Sequence, residues 1–278
     1  IQQIGAIPIM CLPRHGQREL ERFSTLTQAK AWIGPTSFGK TDYISIVKAI
    51  REKSPSLKHA ITVRAEAPGT LSFSQLMEDS QRDKSSAKPK YTSPTDPNEV
   101  MHLGPTGGTT GLPKLVPKTH NNHLTKAHYF ARSLELGPRE VSLAFSPINH
   151  DGPHLLNFCL MVLNGTKLVL SSSTRMEDIL ENMVKEKVTF CFFVPALLTD
   201  FLNAPNLDKY DLSSLQTVSV GAAHCPAELA KLALQKLKCR FHNAYGMTEG
   251  AGTTTRFSDP PEIIAWTVGK ALCPADEY

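Results

Sequence analysis

The residues with the clearest chemical content lie in one run, Gly104-Pro-Thr-Gly-Gly-Thr-Thr-Gly-Leu-Pro-Lys114. Gly107, Gly108 and Gly111 let a backbone turn tightly and approach a ligand. Thr106, Thr109 and Thr110 add hydroxyl donors, and Lys114 adds a cation. Amides, hydroxyls and an ammonium gathered on a loop suit a polyphosphate. A plain surface turn would account for the glycines, but not for the threonines and the lysine in the same stretch. The loop is not a Walker A motif, because Pro113 stands before Lys114 where that motif has Gly. A literal Walker match does occur at Gly34-Pro-Thr-Ser-Phe-Gly39-Lys40-Thr41. Only Ala31-Trp32-Ile33 precedes it, and no apolar run ending in Asp follows to hold Mg²⁺. It reads as a strand–helix turn, with a phosphate-loop NTPase as the outside alternative.

A second run, Asn243-Ala244-Tyr245-Gly246-Met247-Thr248-Glu249-Gly250, follows a short strand expected over Cys239–His242. Tyr245 offers an aromatic face to a nucleobase. Thr248 can donate to a phosphate oxygen, and Glu249 can hold a hard divalent cation. Alone, these residues fit a core Tyr and a solvated Glu equally well. A third run, Val220-Gly221-Ala222-Ala223-His224, ends a strand, and its bland reading is a tight strand–helix turn.

In this order and spacing the runs resemble the adenylate-forming superfamily of acyl- and aryl-CoA synthetases, peptide-synthetase adenylation domains and luciferases. Gly108–Lys114 is similar to that family's Ser/Thr/Gly-rich phosphate loop, and Tyr245–Glu249 to its Tyr-Gly-x-Thr-Glu element. Leu115 departs from the pattern, standing where most members have Gly. With Val116–Asn121 and the tail Asp259-Pro260-Pro261-Glu262 … Gly269-Lys270, it looks most like the aryl-acid branch typified by 2,3-dihydroxybenzoate–AMP ligases.

The resemblance implies an α/β fold, the layered αβαβα large N-terminal domain of adenylate-forming enzymes. Residues 1–278 would be the central part of the AMP-binding domain, incomplete at both ends and without the small mobile C-terminal domain. The implied reaction uses ATP and Mg²⁺ to activate a carboxylic acid, aromatic in this branch, as its acyl-adenylate. The acyl group then passes to a thiol of CoA or of a carrier protein's phosphopantetheine. Carried over by position, the catalytic residues are Lys114, Thr248 and Glu249, with Glu249 holding the metal. Nucleotide contacts fall on Thr106, Gly107, Gly108, Thr109, Thr110, Gly111, Lys114, Gly221, Ala222, Ala223, Asn243, Ala244, Tyr245, Gly246 and Thr248. The acid pocket takes His150, Asp151, Gly221, Ala244 and Gly252. The alternatives are an acyl-CoA synthetase for a non-aromatic acid and a non-catalytic nucleotide-binding module. The presence of Lys114 and Glu249 speaks against the second.

Asp151 carries a sharper expectation. The dihydroxybenzoate ligases that this segment resembles carry Asn after the pocket histidine, while peptide-synthetase domains carry Asp to pair with an amino group. An ionised Asp only accepts hydrogen bonds and would lie near the substrate's own carboxylate, an unfavourable pairing unless a donor intervenes. Asp151 therefore points to an amine-bearing acid of the anthranilate type, or simply caps a helix with Pro153 in its first turn. His120, His123 and His128 read as ordinary polar positions. Leu124 occupies the place four after His120, so no i, i+4 metal pair forms. His224 and His242 stand isolated.

The elements that must hold these residues alternate. Strands are expected over 4–12, Val100–Leu103, Val141–Phe145, Thr166–Leu170, Val188–Val194 and Leu215–Val220. Helices are expected over Gln17–Lys30, Thr41–Lys53 and Asn121–Leu136, after a Thr174–Glu177 capping box, and from near Pro226. Such alternation implies a mostly parallel sheet. Residues 78–98, rich in Pro, Ser and Lys, read as an exposed connector. A hydrophobic content of 41% supports a buried core. A formal charge of +4 without a basic–aromatic cluster argues against nucleic acid, and no apolar run reaches the ~20 residues of a membrane helix. Six scattered cysteines without CxxC read as reduced thiols of a cytoplasmic protein.

Overall fold

Short apolar runs alternating with amphipathic stretches become strands and helices in the computed structural model, which describes residues 1–82, 96–107, 111, 113–250 and 252–275. The chain divides into two units, Ile1–Asp96 with Met101–Pro117 and Pro97–Val100 with Lys118–Tyr278.

In the first unit, α1 (Gln17–Thr27) is followed by β1 (Ala31–Gly34), β2 (Ser37–Phe38), β3 (Thr41–Asp42) and α2 (Tyr43–Lys53). Then come β4 (His59–Thr62), β5 (Leu71–Ser72), α3 (Phe73–Arg82), β6 (Val100–Pro105) and β7 (Leu115–Thr119). β1, β4 and β5 form a parallel sheet, and α1 and α2 bury Leu20, Phe23, Val47 and Ile50 with its Ala60. α1 stops at Thr27, short of the expected Lys30, because Gln28 turns left-handed at φ 49°. α2 starts at Tyr43, with the Asp42 carboxylate accepting from the Ile44 and Ser45 amides. The expected strand over 4–12 is not formed. A short 3₁₀ turn covers Gln2–Ile4, and only Ile9 makes an isolated bridge, to Leu103. The expected connector also begins too early, since Glu78–Arg82 completes α3. Its described ends, 78–82 and 96–98, are exposed, and its middle lies outside the described residues.

The second unit carries α4 (His120–Ser133), β8 (Val141–Ala144), α5 (Asp151–Pro153), a π-helical turn (His154–Cys159) and α6 (Leu160–Asn164). β9 (Lys167–Leu170), α7 (Met176–Glu186), β10 (Phe190–Phe193), α8 (Pro195–Leu202), β11 (Thr217–Val220) and α9 (Ala227–Lys236) follow. β12 (Arg240–Gly246), β13 (Gly252–Thr254), α10 (Pro261–Trp266) and β14 (Lys270–Ala271) complete it. The sheet order is β14-β13-β12-β11-β10-β8-β9. It is parallel from β9 to β12, while β13 and β14 join antiparallel.

The inner strands β10 and β11 are buried at every residue, as a sheet covered on both faces requires. Phe190 pairs with Thr217 and Phe193 with Val220, so the Gly221 turn leaves the sheet directly after the strand partner of Phe193. α7 packs Ile179, Leu180 and Met183 inward. Its N-cap is Arg175 without a side-chain cap, so the expected Thr174–Glu177 capping box is absent. Ser173 Oγ instead accepts from the Arg175 amide. Pro226 is the N-cap of α9 rather than a first-turn residue.

Candidate active site

Two of the sequence runs meet at one cleft in the second unit. β11 and β12 run side by side, with Val220 paired to Asn243, so the residues leaving each strand emerge at the same end of the sheet. Ligands in open α/β sheets bind there, beyond the carboxyl ends of strands. The cleft has a volume of about 620 Å³ and is lined by Ala222, Ala223, Asn243, Ala244, Tyr245 and Gly246, with residues 266–269 across from them. That is the size of a small-molecule site. Tyr245 is exposed, so its ring face is available to a ligand.

Backbone shape opens this cleft. A Cβ on Gly221 would lie 2.9 Å from the Ala244 carbonyl oxygen and 3.3 Å from Phe192 Cε2, so the position admits only Gly. Ala222 adopts φ 65°, a left-handed conformation uncommon for a residue with a Cβ. Asn243 is held by two bonds: its amide donates to Thr255 Oγ1 at 3.0 Å and its Nδ2 to the Thr267 carbonyl at 3.0 Å. Residues 266–269 were not anticipated as cleft lining. Their signal was the Gly269-Lys270 pair in the tail.

β12 runs on through Tyr245 to Gly246, past the strand end expected at His242, and Met247 leads into the turn bearing Thr248 and Glu249. Thr248 is half-buried and Glu249 exposed. A buried lysine holds this turn. Lys126 Nζ donates to the Met247 carbonyl at 2.9 Å.

His150 and Asp151 lie where a strand hands over to a helix. His150 is the N-cap of α5, and its side chain makes no cap bond. The Asp151 side chain is not a cap either. It is directed at cations: Oδ1 lies 3.5 Å from Lys118 Nζ, and Oδ2 lies 3.4 Å from Lys126 Nζ. His123 Nδ1 is 3.8 Å from Oδ1. The expected donor beside Asp151 is therefore supplied by the chain itself. Burial lowers the Lys126 pKa, opposed by the Asp151 charge. A Cβ on Gly152 would touch Phe192 Cε1 at 3.4 Å, and Gly221 borders the same ring, so Phe192 stands between the two segments.

His123 is not the ordinary polar position that its sequence setting suggests. It is 1% exposed, and its Nε2 lies 2.6 Å from His154 Nδ1. Lys118, Lys126 and His154 were likewise missed. A signal existed for two of them: the buried face of α4 reads His123, Lys126, Ala127, Phe130, Ala131, the i, i+3, i+4, i+7, i+8 stripe of a core-facing helix. Charged or titratable residues on that stripe need a buried partner.

The phosphate-type loop belongs to the first unit. Its neck is closed by the Thr106 amide donating to the Lys114 carbonyl at 2.9 Å and the Lys114 amide donating to Thr106 Oγ1 at 3.0 Å. β6 and β7 pair on either side. A Cβ on Gly107 or Gly111 would meet nothing within 4 Å, so both face open space. Gly108, Thr109 and Thr110 lie outside the described residues. The Gly34–Thr41 run forms no Walker loop. β2 and β3 pair antiparallel through a turn at Gly39, φ 58°, and α2 begins only at Tyr43. Gly252, expected in the acid pocket, begins β13 opposite Gly246, and its missing Cβ leaves room for Leu272 Cδ1.

None of the six cysteines, all among the described residues, is in a disulfide. Among the described residues no helix is long and apolar enough to cross a membrane.

Known proteins place this geometry. The chain is 34% identical over 279 residues to the 2,3-dihydroxybenzoate-AMP ligase of Bacillus subtilis, covering 99% of this chain and 49% of that protein. It is 31% identical over 283 residues to the 2-hydroxy-7-methoxy-5-methyl-1-naphthoate–CoA ligase of Streptomyces carzinostaticus, covering 99% and 50%. The apo structure of Mycobacterium smegmatis MbtA superposes with a TM-score of 0.86 at 27% identity, over 99% of this chain and 49% of that one. The chain thus spans about half the length of the curated relatives it matches. Residues 1–277 match the family described as AMP-binding enzyme, and the chain belongs to that family.

Proposed function

We propose that the protein activates an aromatic carboxylic acid with an ortho-hydroxyl group as its acyl-adenylate, using ATP and releasing pyrophosphate. The acyl group then passes to a thiol, on CoA or on a carrier protein's phosphopantetheine. The observation that carries this reading is the cleft of about 620 Å³ lined by both Ala222–Ala223 and Asn243–Gly246. The names of the relatives add the acid: 2,3-dihydroxybenzoate and a 2-hydroxy-1-naphthoate both bear a hydroxyl next to the carboxylated carbon. Lys118 and Lys126 already engage Asp151, which removes the reason to require an amine on the substrate.

A carboxylate oxygen attacks the α-phosphorus, the bond to the bridging oxygen of the β-phosphate breaks, and pyrophosphate leaves. Such a reaction needs positioning and charge stabilisation, with no side-chain nucleophile. Tyr245 takes the adenine face, and Gly221, Ala222 and Ala223 the opposite wall. Lys114, the Thr106, Thr109 and Thr110 hydroxyls and the amides of Gly107, Gly108 and Gly111 hold the β- and γ-phosphates. Thr248 faces the α-phosphate. The Glu249 carboxylate is exposed beside it, a hard oxygen donor that fits Mg²⁺. When bound, the ion neutralises phosphate charge. His150, Asp151, Gly221, Ala244 and Gly252 border the acid. A cytoplasmic location belongs to the same reading.

Acid-dependent exchange of labelled pyrophosphate into ATP tests the reading on the full-length protein. Salicylate and 2,3-dihydroxybenzoate should support faster exchange than benzoate, anthranilate or an aliphatic acid. A preference for the aliphatic acid would refute the aromatic assignment, and CoA consumption would separate the two thiol acceptors.

A further inference from the structure

Two imidazoles and one thiol converge in the second unit, outside the proposed nucleotide cleft. His123 Nε2 comes from α4, and His154 Nδ1 and Cys159 Sγ come from the π-helical turn. His154 Nδ1 lies 2.6 Å from His123 Nε2 and 3.6 Å from Cys159 Sγ, and the three donor atoms all lie within 4.8 Å of one another. His123 and Cys159 are buried, and His154 is half-buried.

The backbone is built for this meeting. In an α-helix, residues five apart point ~140° away from each other, given 3.6 residues per turn. The His154–Cys159 segment is π-helical, and its i→i+5 repeat brings His154 and Cys159 onto one side. Asp151 adds an outer contact. Its Oδ1 lies 3.8 Å from His123 Nδ1, which favours the proton there and leaves Nε2 as a donor to a ligand.

We infer that His123, His154 and Cys159 form a binding site for a single thiophilic metal ion, and that the ion is monovalent Cu(I). Thiolate and imidazole together suit Cu(I) and Zn²⁺, whereas Mg²⁺ and Ca²⁺ want oxygen. The surrounding charge decides between the first two. Lys118 and Lys126 already place two ammonium groups on the one carboxylate of Asp151. Zn²⁺ with one thiolate would add a further positive charge to that buried group. Cu⁺ replacing the thiol proton adds none.

The binding step balances without redox chemistry. The Cys159 S–H bond breaks, its proton leaves to solvent, and an S–Cu bond forms. Each imidazole donates a lone pair: His123 keeps its proton on Nδ1, and the His154 proton moves from Nδ1 to Nε2. The two histidine nitrogens must part from 2.6 Å to about 3.4 Å, the spacing set by metal–nitrogen distances of ~2.0–2.1 Å. A bound ion would join α4 to the segment that carries His150 and Asp151.

The test titrates the full-length protein with Cu(I) held by a competing chelator, and separately with Zn²⁺. Comparison is with His154→Leu and Cys159→Ser, each checked for native circular dichroism without metal. Wild type should take up one Cu(I) equivalent more than either variant and gain more in Tm from Cu(I) than from Zn²⁺. X-ray absorption should give two Cu–N and one Cu–S contact at that extra equivalent. Equal uptake and equal Tm shifts in wild type and His154→Leu would overturn the site, even if Cys159→Ser failed to fold. Zn²⁺ bound at these three residues as tightly as Cu(I) would overturn the choice of a monovalent ion.

Discussion

Lys126 Nζ stands 2.9 Å from the carbonyl oxygen of Met247, a bond that ties the buried face of α4 to the turn carrying Thr248 and Glu249. The same ammonium reaches Asp151 Oδ2 at 3.4 Å. One lysine thereby couples the proposed metal-holding carboxylate to the segment proposed to border the acid. The α4 stripe is occupied by a charge because both of its partners lie outside the helix.

Replacing Lys126 by Met should therefore do two things. The Asp151 carboxylate would keep Lys118 and the more distant His123, so stability should fall toward the lower end of the ~3–5 kcal/mol seen when one partner of a buried ion pair is removed. The Met247–Glu249 turn would lose its anchor, and small displacements of a catalytic group can cost up to ~10²-fold in rate. Urea unfolding and pyrophosphate exchange on the full-length variant read the two effects separately. Unchanged exchange would mean that the turn does not depend on Lys126.

Lys114→Ala and Glu249→Gln act on exposed groups and should leave the unfolding midpoint close to that of the parent. Each should slow pyrophosphate exchange by ~10²–10³-fold, the usual loss when one transition-state charge contact is removed. Near-parental exchange in both variants would defeat the assignment of the two motifs.

Gly221→Ala places a Cβ 2.9 Å from the Ala244 carbonyl oxygen, a backbone atom that cannot rotate away. Overpacking of this kind costs ~1–3 kcal/mol. The displaced strand ends should also narrow the cleft, so ATP affinity should drop more than the thermal shift alone explains. Equilibrium binding of ATP, with Gly152→Ala as the comparison, checks it. Gly152 would meet only the Phe192 ring, at 3.4 Å.

His242 supplies a pH dependence of stability from within β12. It is fully buried, its Nδ1 must donate to the Thr255 carbonyl at 3.0 Å, and burial lowers its pKa below the usual 6.5. The unfolded chain therefore takes up this proton first as pH falls. Nothing is lost above the unfolded value. Stability then declines as pH drops from ~6.5 toward the lower folded value. His242→Asn keeps a donor for Thr255 without titrating, so its unfolding midpoint should fall less than that of the parent between about pH 7 and about pH 5. Parallel declines in the two proteins would assign the acid sensitivity elsewhere.

Local chemistry was readable from the chain alone wherever a short run carried its own physical reason. The continuous apolar stretch Val188–Val194 could only be an inner strand, and Phe190–Phe193 is one, buried at every residue. Glycine, threonine and lysine over Gly104–Lys114, and the Tyr245–Glu249 run, pointed to the AMP-binding family because each motif is contiguous in the chain. Weak local signals failed. Residues 4–12 have apolar content but only one bridging partner, and Thr174 lost the cap position to Arg175 because the helix entered one residue later. The surroundings of Asp151 were a tertiary matter altogether. Lys118, His123 and Lys126 arrive from β7 and α4, across a separation in sequence that no helical or strand period spans. Whether a carboxylate awaits a substrate's amine or is already neutralised depends on which side chains folding delivers within a few ångströms, because Coulomb attraction follows distance in space and not in sequence.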